Sequence, residues 1–199
     1  SKYDCIASSQ NTILLGLGAI KGVGSEAITS ILTDRDSSGN FSSIFDLCRR
    51  VDLRKVNKKA LEALCFAGAI MDISTNKATA FKSIEKAIKN AGYVKDMAAA
   101  GQDDLFGFTV QESDTDLEFE KECYLPEWGL KKLLISEKKA LGMYFSGHII
   151  DEENHWRKYI NFSNLEKIQH SSMDGNSVRI IASMISPALR RRTKLGKIL

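Results

Sequence analysis

The stretch Ile20-Lys21-Gly22-Val23-Gly24 constrains this 199-residue chain more than any other feature. Two glycines bracket a valine, and apolar residues recur at helical spacing directly after them. Glycine tolerates positive φ and has no side chain to hold a ligand away. A helix beginning at Gly24 or Ser25 adds free N–H groups and the positive end of a dipole. The stretch predicts a turn that binds an anion, typically a phosphate of a nucleic acid, with a purely structural tight turn as the alternative.

The composition is typical of a globular protein, with 43% hydrophobic and 27% charged residues. No apolar run approaches the roughly 20 residues that span a bilayer, and the polar first ten residues do not resemble a signal peptide. Four widely spaced cysteines without a C-x-x-C pair predict reduced, mostly buried thiols in a cytoplasmic protein. The histidines have no ligand-like spacing to a cysteine, so we expect no zinc site.

The charge is unevenly distributed along the chain. The net charge is +4 for residues 1–97, −8 for 98–127 and +7 for 128–199. Basic flanks suit a polyanionic partner, whereas the acidic strip between them does not. The pattern therefore indicates a modular chain.

The first half of the chain predicts a β-hairpin followed by helices. Strands are expected at Tyr3–Ile6 and Thr12–Leu15, with a loop at Ser8–Asn11 between them. A helix over Ser25–Arg35 follows, and Ser25 can cap it. Phe41–Ile70 predicts two further helices around a second turn at 52–56, with predicted helix ends at Ser42 or Ser43, Asn57 and Gly68.

The second turn lacks Gly-x-Gly but is surrounded by basic side chains. Such a run is often only a solvated face. Next to a turn that is predicted to bind phosphate, it also suits contact with DNA backbone. The residues of this run are Arg49, Arg50, Arg54, Lys55, Lys58 and Lys59.

The second half of the chain is less regular. We expect a helix from an Asn76 cap to about Ala91, then an exposed acidic linker over 93–122. A helix ending at Gly142 follows, and Ser177–Ile185 predicts a strand. The basic loop after it, Arg190 to Lys197, could contact a nucleic-acid backbone or be a solvated turn. We expect the sequence to stop inside its last domain.

Four motifs occur along the chain in a fixed order. They are GLGAIKGVG (16–24), FxSIFDLCRRVDLRKVNKKALEALxxAGA (41–69), GQDDLFG (101–107) and SEKKALGMYFSGH (136–148). Together they closely resemble the alpha subunits of bacterial replicative DNA polymerase III, the C-family polymerases, over nearly the whole chain. One departure is Ile149, since the family usually has proline after the histidine of the SGH stretch.

The resemblance implies the region C-terminal to the polymerase fingers. The expected fold is mainly α: a tandem helix-hairpin-helix domain with a small N-terminal β-hairpin, plus a truncated β element that is the first strand of an OB-fold. The four expected segments are a hairpin and helix-hairpin-helix domain at 1–92, an acidic linker at 93–125, a helical connector at 126–170 and the OB-fold start at 171–199. The implied contacts to duplex DNA backbone are Lys21, Gly22, Val23, Gly24, Ser25, Arg54, Lys55, Asn57 and Lys58.

A second motif in the resemblance implies a protein partner. Gln102-Asp103-Asp104-Leu105-Phe106 matches the Q-x-x-L-F pattern of ligands of the ring-shaped sliding clamp. Gln102 would supply amide hydrogen bonds, while Leu105 and Phe106 would fill an apolar pocket. The alternative is that Leu105 and Phe106 fold back onto the helical core.

The resemblance implies that the parent protein is a DNA-directed DNA polymerase whose catalytic aspartates and Mg²⁺ ions lie upstream. We find no nucleophile–base pair here, and the alternating acids of 114–122 resemble a solvated linker more than a metal cage. We therefore expect no catalytic residue, metal ligand or cofactor in this chain. The expected partners are double-stranded DNA, the sliding clamp (the beta subunit) and other replisome subunits, without a membrane. The alternatives are a non-enzymatic helix-hairpin-helix adaptor and the error-prone relative of the replicative polymerase.

Overall fold

The computed structural model describes residues 2–9, 12–99 and 112–149. Ser1–Ser146 form one compact unit and Gly147–Leu199 a second, of which only 147–149 are described. The clamp motif Gln102–Phe106, the predicted strand Ser177–Ile185 and the basic loop Arg190–Lys197 lie outside the described residues.

The described residues of this unit are mainly helical, as the sequence predicts. Two strands form a small antiparallel sheet near the N-terminus. The elements, in chain order, are β1 (Ile6–Ser9), β2 (Thr12–Leu14), α1 (Ser25–Ser38), α2 (Ile44–Arg50), α3 (Lys58–Ala67), α4 (Lys77–Ala99), α5 (Glu112–Glu122) and α6 (Leu130–Leu141), with 3₁₀ turns at Leu17–Ala19 and Met71–Ile73. No helix in the described ranges is both long enough and apolar enough to cross a bilayer.

The N-terminal hairpin exists, but its first strand begins three residues later than predicted. Ile6 pairs with Leu14 and Ala7 with Ile13. The preceding residues are engaged elsewhere, because the carbonyl of Tyr3 accepts the N–H of Gly18 at 2.9 Å. Gly16 permits this close approach: a Cβ at Gly16 would lie 2.3 Å from the Tyr3 carbonyl oxygen. The connection after the hairpin is thus fixed to the start of the chain.

Local capping chemistry sets most helix ends where the sequence predicts them. Ser43 Oγ accepts the N–H of Asp46 at 2.9 Å at the start of α2. Asn57 and Asn76 cap α3 and α4 in the same way, through the N–H groups of Ala60 at 3.0 Å and Thr79 at 2.7 Å. The two predicted stops, Gly68 and Gly142, end α3 and α6 with left-handed φ of 76° and 82°.

The core of the unit lies where α2 and α3 pack on α4, and α6 packs on α3. Its largest fully buried side chains come from several helices, and the predicted stripe of α4 contributes Ala80, Ile84 and Ala87. Each fully buried large aliphatic or aromatic side chain contributes about 1.5–3 kcal/mol. These side chains include Phe45, Ile28, Ile44, Leu47, Leu61, Leu64 and Ile84.

The expectation of an exposed acidic linker over 93–122 is wrong for the described residues of that range. The helix α4 continues to Ala99, and α5 begins at Glu112. Asp116 of α5 is only 3% exposed and accepts hydrogen bonds from both terminal nitrogens of Arg49 at 2.7 and 2.8 Å. The ring of Phe119 packs on that of Phe45 at 5.5 Å between centroids. The buried carboxylate of Asp116 and the ring of Phe119 therefore dock α5 on the core, although the acidic composition of this helix is typical of a fully solvated segment.

A buried carboxylate also anchors α6. Glu137 is 1% exposed and accepts a hydrogen bond from Lys77 Nζ at 2.9 Å. It also accepts the N–H groups of Phe145 and Ser146 at 2.9 and 2.8 Å, and the Ser146 hydroxyl. Burial raises the pKa of Glu137, but the hydrogen bonds from Ser146, Lys77 and Phe145 outweigh it and lower that pKa to about 2. A charged Glu137 thus ties α6 to α4 and to the chain after Gly142.

Candidate nucleic-acid interface

The turn at Ile20–Gly24 leaves backbone N–H groups open toward solvent. Gly22 has φ +91°, and Val23 closes the turn by donating its N–H to the carbonyl of Ile20 at 3.4 Å. Gly22, Gly24 and Ser25 are exposed. Within the described ranges, no group accepts a hydrogen bond from the N–H of any of these three residues. The turn therefore presents bare donors at the positive end of α1.

The predicted cap of α1 by Ser25 is wrong. Gly24 is the N-cap, with φ −73° and ψ 155°, and no side chain caps this helix. Ser25 is instead the first helical residue, where its hydroxyl cannot serve as the N-cap. Because Gly24 has no side chain, no side chain among the described residues competes for the N–H groups of the first turn of α1.

The two glycines of the turn have different physical roles. Gly22 adopts a positive φ that other residues rarely tolerate. Gly24 has an ordinary φ, and a Cβ added there would meet no atom within 4 Å. The fold therefore explains the glycine at 22 but not the one at 24. Half-buried Val23 packs against the core between them and anchors the turn.

Lys21 fixes the turn onto the C-terminal end of α6. Its N–H donates to the carbonyl of Ala140 at 2.7 Å. Its side chain runs over Gly142, where an added Cβ would lie 2.8 Å from Nζ. A cation at a helix C-terminus is favourable because of the negative end of the dipole. Among the residues predicted to contact DNA backbone, Lys21 therefore has its N–H group occupied and its ammonium group exposed beside the turn.

The second predicted turn is a compact loop between α2 and α3. The carbonyl of Asp52 accepts the N–H groups of Lys55 and Val56 at 2.9 and 2.8 Å. Asp52 Oδ1 accepts the N–H of Arg54 at 3.0 Å. The side chains of Arg54 and Lys55 are exposed, whereas Val56 is fully buried and holds the loop on the core. This turn offers side-chain charge to solvent.

The structure brings the two turns to one surface. Ser25, at the start of α1, and Lys55, of the second turn, line the same open groove. The groove also has acidic walls, from Glu26, Asp34 and Asp52. These carboxylates would repel a polyanion, so the groove itself is not the phosphate site.

Two of the predicted contact residues have other partners in the protein. The side-chain oxygen of Asn57 is used by the cap of α3. Lys58 forms an exposed ion pair with Glu85, and this hydrogen bond raises the pKa of Lys58. Lys58 would have to leave Glu85 to contact a phosphate, which costs little because exposed pairs are weak.

Not every charge of the basic run faces solvent. Arg49 is engaged by buried Asp116. Arg50 donates to Asp34 and to the Gly39 carbonyl, and it lies 4.3 Å from the centre of the Phe41 ring. These two arginines hold the fold together, while Arg54, Lys55 and Lys59 remain on the surface. The solvated-face interpretation is thus incorrect for the first part of the run.

A second concave surface lies beside the first turn, and we name it the basic depression. It is lined by Lys21, Gly22, Lys59, Glu62, Phe66 and Lys139, together with two alanines. The residues predicted to contact DNA backbone include neither Lys59 nor Lys139. Lys59 was visible in the basic run, whereas Lys139 comes from α6, 118 positions after Lys21 in the sequence.

The described residues contain no metal cluster, and two of their thiols are unreactive. No three His, Cys, Asp or Glu side chains in these ranges are grouped as a metal site requires. Burial raises the pKa of Cys48 and that of Cys65 to about 12, so both thiols are protonated and inert at neutral pH. All four cysteines are free, three of them buried and Cys5 exposed.

Comparisons with known proteins show which family this chain is similar to. The family profile described as a helix-hairpin-helix motif matches residues 1–80. DNA polymerase III subunit alpha of Vibrio cholerae is 39% identical over 150 residues, covering 75% of this chain and 13% of that protein. The same subunit of Xylella fastidiosa (strain Temecula1) is 35% identical over 184 residues, covering 88% and 15%. That of Escherichia coli (strain K12) is 33% identical over 150 residues, covering 75% and 13%.

The profile thus assigns a helix-hairpin-helix motif to residues 1–80, the range that contains the turn at Gly22–Gly24. Over three quarters or more of its length, the chain is homologous to one region of the DNA polymerase III alpha subunit. It spans only 13–15% of the length of these relatives.

Proposed function

We propose that this chain is a non-catalytic region of a replicative DNA polymerase that holds duplex DNA by its phosphate backbone. The observation that carries the proposal is the turn at Gly22–Ser25, with exposed N–H donors at the uncapped start of α1. Polymerase activity, with its Mg²⁺ ions, would belong to other parts of the longer protein. The homology to the alpha subunit favours this proposal over a free-standing helix-hairpin-helix adaptor.

The chemistry of the turn suits phosphate and carries no means of reading sequence. Backbone N–H groups and lysine ammonium groups bind phosphate oxygens and fix position on a duplex, while base edges are read by other side chains in a groove. The N–H groups of Gly22, Gly24 and Ser25 would bind one phosphate, with the Lys21 ammonium group beside it. Arg54 and Lys55 would contact the DNA backbone at the second turn. Lys58 would contact it after leaving Glu85, and Asn57 would act only by capping α3.

A duplex titration tests this function. Two labelled duplexes of unrelated sequence are titrated with the 199-residue chain at 50 and 200 mM salt. We expect equal affinities for the two sequences and a steep loss with salt, because each phosphate contact releases counterions and contributes about 0.9 to the slope. Affinity that differs strongly between the sequences, or that ignores salt, would contradict backbone binding.

We further propose that Gln102–Phe106 tethers this region to the sliding clamp. The motif lies between α4 and α5, and both helices are anchored to the same unit: Lys95 donates to the Val51 carbonyl at 3.2 Å, and Asp116 binds Arg49. A peptide with both ends held loses less conformational entropy on binding than a free tail. In this function the chain would work in the cytoplasm with other replisome subunits.

A pull-down on immobilised clamp tests the tether. Phe106→Ala removes a predicted anchor, and Gln102→Ala removes the predicted amide contacts. Phe108→Ala, two positions beyond the motif, is the matched control for loss of one aromatic ring. We expect the first two variants to lose retention by at least tenfold, as for an interface anchor, and the control to keep it. Equal retention of all three would sink the tether while leaving DNA binding untouched.

A further inference from the structure

The basic depression is next to the first turn and shares two residues with it. Lys21 and Gly22 belong to both, while Lys59 comes from the first turn of α3 and Lys139 from the last turn of α6. The floor is apolar, formed by Ala63, Phe66 and Ala140. Three separate chain segments thus bring ammonium groups to the rim of one concave surface.

The charge of this surface is uncompensated. Three lysines line it against one carboxylate, that of Glu62. Three lysines elsewhere in the unit have carboxylate partners: Lys58 pairs with Glu85, Lys77 with Glu137 and Lys86 with Glu122. Among the residues that the structure describes, no carboxylate lies within ion-pair distance of Lys21, Lys59 or Lys139. An anion bound here would therefore meet cations that no internal partner neutralises.

The helix end beside the depression opposes an anion, and hydrogen bonds and the nearby ammonium groups offset part of that effect. The carbonyls at the end of α6 carry the negative end of its dipole. Two of them are satisfied, since Ala140 accepts the N–H of Lys21 at 2.7 Å and Lys138 that of Gly142 at 2.9 Å. The ring of Phe66 lies 5.2 Å from Lys139 Nζ and holds this ammonium group at the rim.

We propose that the basic depression binds a second phosphate of the duplex, next to the phosphate on the open N–H groups of the turn, and that Lys59 and Lys139 are its ligands. This inference rests on the proposed DNA-backbone function and extends the interface to α6. Lysine is suited to the role because its ammonium group binds phosphate as a compact charge without demanding a fixed geometry. The bond between Lys21 and Ala140 would keep the two phosphate sites at a constant spacing.

The test compares variants that each remove one lysine charge, two in the depression and one control on α6. Lys139→Gln and Lys59→Gln remove the proposed ligands, and Lys131→Gln is the matched control, an exposed lysine of α6 that does not line the depression. Each is titrated with a labelled duplex between 50 and 200 mM salt. We expect each ligand variant to lower the log–log salt slope by about one and the control to leave it unchanged. Over this salt range, one contact corresponds to about a threefold difference in affinity.

The outcomes separate this inference from the proposed function. If both ligand variants keep the slope of the parent while Gly24→Asp loses affinity, the depression is not a phosphate site and the turn still is. If Lys131→Gln lowers the slope as much as Lys139→Gln, only net charge matters and the inference is overturned. If the parent chain does not bind the duplex, the proposed function and this inference are both overturned. A cooperative melting transition at or above the midpoint of the parent chain establishes that each variant is folded.

Discussion

Replacing Gly24 with aspartate should stabilise the fold and weaken duplex binding at the same time. Gly24 is the N-cap of α1 with φ −73°, and a Cβ there meets nothing within 4 Å. Aspartate is a preferred N-cap, its charge suits the helix dipole, and losing a glycine reduces the entropy of the unfolded chain. Together these effects give a gain of about 1 kcal/mol in the free energy of unfolding.

The same substitution would oppose a phosphate at the turn. The carboxylate would accept the N–H groups that the phosphate would otherwise bind, and it would place a like charge about 5 Å away. With an effective dielectric constant between 20 and 80, that repulsion is about 1–3 kcal/mol. Binding should therefore weaken by roughly 5- to 150-fold at low salt. Fluorescence anisotropy of a labelled duplex measures this loss, and urea unfolding measures the gain in stability.

Gly129 offers a matched control for this substitution. It is the N-cap of α6, it lacks a side-chain cap, and a Cβ there also meets nothing within 4 Å. Gly129→Asp therefore makes the same chemical change at another helix start. We expect similar stabilisation with unchanged affinity. If Gly24→Asp binds like the parent chain, or if Gly129→Asp loses as much affinity, the turn is not the phosphate site.

Two further predictions concern the buried carboxylates. The lowered pKa of Glu137 implies stability that is fully present above pH 4.5 and is lost as the pH falls toward 2, and the drop from 4.5 to about 2 corresponds to roughly 3 kcal/mol. Glu137→Gln should thus lower the free energy of unfolding near neutral pH and flatten its fall between pH 5 and pH 2, as measured by urea unfolding. If the free energy of unfolding of the variant fell with pH as steeply as that of the parent chain, this prediction would be contradicted. Asp116→Asn should cost about 3–5 kcal/mol because Arg49 loses its buried partner. Glu118→Gln, an exposed change on the same helix as Asp116, is the control for both substitutions and should change the free energy of unfolding by no more than about 0.5 kcal/mol. An Asp116→Asn chain as stable as the parent would refute the docking of α5.

The features that could be predicted from the sequence are those that local chemistry determines. The caps at Ser43, Asn57 and Asn76 depend on a side chain and an N–H group three residues later, so spacing alone identifies them. The turn at Gly22 is likewise visible because its positive φ needs glycine. The predicted clamp motif, OB-fold strand and segment boundaries stay predictions.

The features that the sequence did not reveal depend on contacts between distant residues. The docking of α5 depends on a hydrogen-bonded pair 67 positions apart, and the anchoring of α6 on one 60 positions apart. In sequence, Asp116 and Glu137 are indistinguishable from solvated acids, because only their partners justify their burial. Lys139 joins Lys21 for the same reason: the packing of α6 on α3 decides which lysines of the helix reach the turn.

The amide resonances of the turn give the most direct test of phosphate binding by backbone N–H groups. In a ¹⁵N-labelled chain titrated with duplex DNA, the N–H signals of Gly22, Gly24 and Ser25 should shift saturably and return when salt is added. The N–H signal of Gly129, at the start of α6, should stay in place. Saturable DNA binding with unmoved signals from the turn would contradict the central claim.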